Sequence, residues 1–471
     1  MKLVAKSLIV FVSFGAILAD AQSFQHIVLI VQENRTPDNL FQGLCGPGRK
    51  LCPVPYDLQN FGINKAGNKV PLVETPLGIG YGGDHSLAGF VRQCDLDDQT
   101  NTCRMDGLPS GGCPLQCVYA YVNPADVGPY LTIAQQYGWA NYMFETNQGP
   151  TGPAHQFIFA GTSAPTADDD AQATFVSNNP DPNGSGGGCL AALGEIYYLI
   201  SPQTWPEEYQ LVNDPLGTFC FSHATMATLL DNNQPAISWK YYTVGGYGIA
   251  TAPNWYRQIC EPDSGYQECT GQEWINNVDI YPIDVLRDIG ACKLANMTWS
   301  IPAGQNSDHP GDPTWIGGPS WVASIVNAIG ESKCQNPDGS TYWNSTAILI
   351  TWDDWGGWYD HEPPTLLSVP NQGQGDYQLG FRVPLVVVSA YTPLGYVDNG
   401  RYDFGSILRF VEQNFGIPEG ALNFADARST TDLTSFFDWN QQPRLFQHIA
   451  APKSADYFLN DTRPPAPPDD Y

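Results

Sequence analysis

Basic residues are scarce in this chain: 471 residues hold 21 Lys and Arg against 48 Asp and Glu, a formal charge of −27. So negative a molecule repels a phosphate backbone, and nucleic acid is excluded as a partner. Long apolar runs are missing too. Beyond residue 21 no segment approaches the ~18 apolar residues that a membrane helix requires, so no stable membrane span is expected. No internal repeat and no second composition regime divides the chain, which favours one elaborated domain. No Cys-x-x-Cys pair occurs, which weakens any case for a structural zinc.

What is present begins with a leader. Lys2 and Lys6 precede an apolar stretch from Leu8 to Leu18, and Ala19-Asp20-Ala21 fits a small-x-small cleavage site, so residues 1–21 read as a secretory signal cut before Gln22. The product is expected outside the cell, or in the periplasm of a Gram-negative host. Twelve cysteines suit an oxidising compartment and allow up to six disulfides. Cys94, Cys103, Cys113 and Cys117 form a group that a zinc ion could also hold, although disulfides stapling a long surface excursion fit better. Sequons stand at Asn183, Asn296, Asn344 and Asn460, and Asn34 opens another.

Apolar runs of strand length occur at 26–32, 346–351 and 382–389. Helical spacing marks Val322, Ile325, Val326 and Ile329, and again Phe404, Ile407, Leu408, Val411 and Phe415 with Gly416 as the stop. A further helix over 130–137 closed by Gly138 should lead into a strand over 139–144. Helices alternating with buried strands predict an α/β three-layer sandwich around a mostly parallel central sheet. Residues 22–460 would form one catalytic domain, interrupted by Gly- and Pro-rich insertions near 43–118 and 163–222, with 461–471 as a Pro-rich disordered tail.

The chemistry collects at strand ends. Asp353-Asp354 directly follows the 346–351 run, Glu33-Asn34 follows the 26–32 run, and carboxylates at the rim of a sheet suit a metal. Gly356-Gly357 after the acidic pair also fits a plain turn. Two further segments carry ionisable groups at the end of apolar stretches: Gly149-Pro150-Thr151-Gly152-Pro153-Ala154-His155 and Ser307-Asp308-His309-Pro310.

On these motifs the chain resembles the phosphoesterase family that includes bacterial phospholipases C and respiratory-burst-inhibiting acid phosphatases, whose fold is similar to that of alkaline phosphatases and sulfatases. Glu33-Asn34-Arg35-Thr36 matches its N-terminal hallmark, Gly149-Pro150-Thr151 its nucleophile segment, and residues 353–364 its acidic-pair segment ending in Tyr-Asp-His-x-Pro-Pro. Pro37 departs from the usual aromatic residue. The resemblance implies that Glu33, Asn34, Asp353 and Asp354 bind one divalent metal ion together with Thr151, which would attack phosphorus and pass through a phosphothreonine. Calcium, magnesium or manganese fit such an oxygen-rich set, and zinc or iron remain open. His309, His361, His155 and His85 are the candidates for charge neutralisation and for protonating the leaving alcohol. The expected activity is hydrolysis of a phosphate ester, acid phosphatase-like, or else phospholipase C cleavage of a lipid head group to give diacylglycerol. A catalytically silent extracellular binding protein on the same fold is the alternative of another class.

Overall fold

His26–Gln32 (β1) is an unbroken apolar, β-branched run that alternation cannot explain, and every one of its residues is buried. Such a strand requires cover on both faces of its sheet. The computed structural model describes residues 23–46, 52, 54–97, 99–100, 102–108, 117–180, 187–191, 194–212, 219–367 and 377–468. The expected leader, Cys113 and the Asn183 sequon lie outside the described residues.

Seven more strands join β1: Gly138–Met143 (β2), Trp239–Tyr242 (β3), Val278–Asp279 (β4), Met297–Ser300 (β5), Thr346–Trp352 (β6), Leu385–Val388 (β7) and Tyr396–Tyr402 (β8). Their spatial order is β4-β3-β5-β1-β6-β7-β2-β8. All neighbours run parallel except around β7, which opposes both β6 and β2. The mostly parallel sheet is thus as expected. Two helix groups cover it. Gly128–Gln136 (α1) and Asp284–Gly290 (α2) pack on Gly318–Gly330 (α3), while Thr151–Ala160 (α4) packs on Phe404–Asn414 (α5).

Register positions the site. β1 and β6 pair in parallel from His26 with Thr346 to Gln32 with Trp352, so Glu33 and Asp353 leave the sheet side by side. The Asp353 N–H continues the ladder to the Gln32 carbonyl at 3.0 Å.

The first insertion builds a small core of its own. Val70, Ile79, Phe90, Met105 and Tyr119 pack with Trp355, Trp358 and Phe381, which follow the rim of the main sheet. The second contributes a three-stranded antiparallel sheet made by 175–176, 196–200 and 209–212. Among the described residues, disulfides join Cys45 to Cys52, Cys94 to Cys103, Cys189 to Cys220, Cys260 to Cys269 and Cys292 to Cys334. The Cys94–Cys103 bond removes the zinc reading of that cluster.

Three local expectations change. Gly138 opens β2 instead of closing a helix, because a Cβ there would sit 2.5 Å from the Phe436 ring. The strand expected over 382–389 is ordered as a ladder only from Leu385, since Pro384 has no N–H to give. The tail is docked as far as Pro467: the Ala466 carbonyl accepts from Gly304 N–H at 2.8 Å.

Candidate functional site

Asn34 stands at the tip of the turn after β1 in the left-handed region, φ 61°, a conformation that Asn tolerates better than most residues. Its backbone N–H donates to Asp353 Oδ1 at 3.0 Å, and Arg35 N–H donates to the Asp354 carbonyl at 3.0 Å. The two strand-end motifs are therefore zipped together main chain to side chain. Gly356 and Gly357 follow, at φ 61° and 71°. A Cβ on Gly356 would lie 2.4 Å from the Asn34 carbonyl oxygen, and one on Gly357 would lie 2.4 Å from the Gly83 backbone. Only glycine allows these approaches.

Thr151 enters from the other side as the first residue of α4, where the positive end of the helix favours an anion. Its Oγ1 donates to Asp354 Oδ2 at 3.3 Å. Four residues on, along the same helix face, His155 Nε2 lies 3.7 Å from Glu33 Oε1 and 3.8 Å from Asp353 Oδ2. Its Nδ1 is 3.4 Å from the Tyr241 hydroxyl. Glu33, Asn34, Thr151, His155, Asp353 and Asp354 are all fully buried.

Electrostatics makes this an uncomfortable group. Burial, then the like charge of Glu33, pushes the Asp353 carboxyl well above the ordinary carboxylate range, against the opposing pull of His155. Glu145, which no sequence motif marked, belongs to the same environment. Burial raises its carboxyl well above normal, and Asp354 and Asp353 add to the effect. The Asn34 Oδ1 is buried without a hydrogen-bond partner. Carboxylates crowded beside a vacant amide oxygen and an imidazole are a donor set that fits a divalent cation, and Glu33, His155 and Asp353 offer ligand atoms within 4.8 Å of one another.

The remaining histidines divide. His85 is carried onto the site by the Gly83–Gly357 contact. Its Nε2 accepts from Asn34 Nδ2 at 3.1 Å, and its ring is 6.3 Å from that of His309. His309 follows Asp308, which is buried and clamped: Oδ2 accepts from Tyr130 Oη at 2.9 Å and Trp352 Nε1 at 3.0 Å, and the carbonyl accepts from Arg35 Nε at 2.9 Å. Burial lifts the Asp308 carboxyl to about 6 and lowers Arg35 to about 10. Arg35 is thus a scaffold cation that binds the Asp308 loop to the β1 turn.

His361 sits in a second cluster. Its Nδ1 is 2.7 Å from Asp38 Oδ2 and its Nε2 is 3.3 Å from Asp57 Oδ1, so carboxylates occupy both ring nitrogens. Arg382 pairs with Asp360 at 2.7 Å and lies 3.3 Å from His361 Nδ1. Burial opposes a charge on His361, but Asp38 and Asp57 outweigh it and raise its pKa to about 10. A proton held that firmly suits a structural cation better than an acid working near neutrality.

The model of the phosphoesterase family matches residues 24–418. A non-hemolytic phospholipase C of Pseudomonas aeruginosa is 25% identical over 467 residues, covering 92% of this chain and 60% of that protein. A phospholipase C B of Mycobacterium tuberculosis is 27% identical over 465 residues, covering 89% of this chain and 78% of that one. Among solved structures, an alkaline phosphatase superfamily protein from Vibrio parahaemolyticus aligns over 62% of this chain and 60% of its own, at 9% identity and a TM-score of 0.34. With the match running through every motif that builds the site, the chain belongs to the phosphoesterase family.

Proposed function

We propose that this chain is a secreted hydrolase of phosphoric esters in which Thr151 is the nucleophile at a cation-assisted centre. The observation that carries the reading is the placement of Thr151 Oγ1 at the head of α4, bonded to Asp354, one helical turn before His155, which lies beside Glu33 and Asp353.

Glu33, Asn34, Asp353 and Asp354 would hold the cation, and His155 stands close enough to two of them to join or to orient them. A bound divalent cation supplies the positive charge that stabilises an alkoxide and the phosphate oxygens. Thr151 Oγ1 passes its proton to Asp354 Oδ2 and attacks phosphorus in line, a new P–O bond forms, and the bond to the leaving alcohol breaks. His309 gives that alcohol its proton, with His85 alongside it. Water then attacks the phosphothreonine, giving one proton to His309, and the P–Oγ1 bond breaks as Asp354 returns its proton to Thr151. Asp308, Tyr130, Trp352 and Arg35 hold the His309 loop rigid.

The names of the relatives favour a phosphodiester of the phospholipid head-group type as substrate. A phosphomonoester split at acid pH is the second reading, favoured by the charge of −27 and a pI near 4.3, which lessen repulsion of an anionic substrate only in acid. The disulfides support an extracellular or periplasmic setting. The test compares wild type with Thr151→Ala on a monoester, a diester and a phosphocholine lipid, with metal content measured on the same samples. Loss of all turnover, by at least about 10³-fold, is expected. Unchanged turnover removes the nucleophile. Absence of turnover in the wild type on every ester would favour the silent binding protein.

A further inference from the structure

Glu145 has no place in the mechanism above, yet its surroundings are those of the cation centre. It follows β2, whose end shares a rim with the end of β6 because β7 runs back between them: Phe144 bridges to Arg382, and the Pro384 carbonyl accepts from Thr351 Oγ1 at 3.0 Å. The side chain lies flat on Gly380, where a Cβ would come within 2.3 Å of its Cγ. It is fully buried. The backbone N–H groups of Phe381 and of Trp355, the residue after Asp354, face its carboxyl. Asn147 links it to the nucleophile loop, donating to Glu145 Oε2 at 3.4 Å and to the Gly149 carbonyl at 2.8 Å.

A fully buried carboxylate set beside other buried carboxylates is costly without a cation in reach. We propose that Glu145 is a fourth carboxylate of the centre, a positioning residue that sets cation affinity and couples it to the Thr151 loop. The inference rests on the cation reading above. Its role is that of an outer partner: it adds negative charge beside Asp354 and, through Asn147, fixes the loop that delivers the hydroxyl. A cation bound by Asp354 would therefore also order the segment from Glu145 to Thr151.

The experiment strips the disulfide-intact enzyme with a chelator and titrates it separately with Ca²⁺, Mg²⁺, Mn²⁺, Zn²⁺ and Fe²⁺ by calorimetry, with thermal melts of the stripped and loaded forms. Glu145→Gln keeps the shape and removes the charge. It should bind the preferred cation roughly 10–100-fold more weakly, while its stripped form melts no lower than wild type because a buried like charge has gone. Glu145→Asp keeps the charge and should retain more affinity than Glu145→Gln. If Glu145→Gln fails to fold, Glu145→Asp and Asn147→Ala are titrated in its place, each expected to bind more weakly than wild type. Asp354→Asn, the control for the underlying reading, should lose more than either Glu145 variant. Weakened binding in Asp354→Asn with wild-type affinity in the Glu145 variants would overturn this inference alone. A wild type that binds none of the five cations would overturn the cation reading and this inference with it.

Discussion

Replacing His361 by Gln probes the second cluster, and its size follows from the geometry. Folded His361 keeps its proton up to about 10, against an ordinary 6.5, because Asp38 and Asp57 outweigh the cost of burial. Holding a proton over that range sets a ceiling of about 5 kcal/mol. Arg382, 3.3 Å from Nδ1, repels the imidazolium, and Gln retains a hydrogen bond, so a loss of about 2–3 kcal/mol at pH 6 is expected. The sign is fixed. A raised folded pKa gives stability that is complete below about 6.5, fades as pH rises and is lost above about 10. Asp57 behaves oppositely. Its hydrogen bond to His361 is the main cause that holds it down to about 2, so its contribution is present above 3.8 and lost as pH falls through about 2. Urea unfolding of wild type and His361→Gln at pH 6, 8, 9.5 and 10.5, with disulfides intact, should show the difference shrinking steadily toward zero. A gap that stays constant with pH, or no loss at pH 6, would refute the charged-histidine account.

Gly357→Ala should destabilise the fold by about 1–3 kcal/mol from the left-handed backbone alone, and should lower kcat by moving the His85 loop, read from melts and turnover. Arg382→Met leaves Asp360 buried without its cation, while Asp38 keeps His361, and about 3–5 kcal/mol should be lost in urea unfolding. His309→Gln should reduce kcat by about 10²–10⁴-fold on an alkyl phosphoester, with a much smaller loss on a nitrophenyl ester, whose leaving group needs no proton. Equal losses on both esters would take the proton-donor role away from His309.

The central sheet was readable because β1 and β6 are too apolar to be anything but doubly covered strands, and the acidic pairs after them lie where such sheets open to ligands. The motif around Thr151 drew attention to a hydroxyl that the fold brings to Asp354. Glu145 was not: a lone carboxylate after Phe144 looks like an ordinary strand exit, and its importance comes from the reversal of β7, which no periodicity signals. The His361 cluster was equally hidden, since Asp38, Asp57 and Arg382 meet across more than three hundred residues. Gly138 misled because a glycine after a helical stretch resembles a cap, and the aromatic ring that demands it, Phe436, is remote in sequence.

The docking of the last residues on Gly304 has a practical corollary. Gly304 opens the short turn that delivers Ser307, Asp308 and His309, and a Cβ on it would approach the Pro467 oxygen to 2.9 Å. Any change that lifts Ala466 and Pro467 off Gly304 would therefore also loosen the turn that leads to the proposed proton donor.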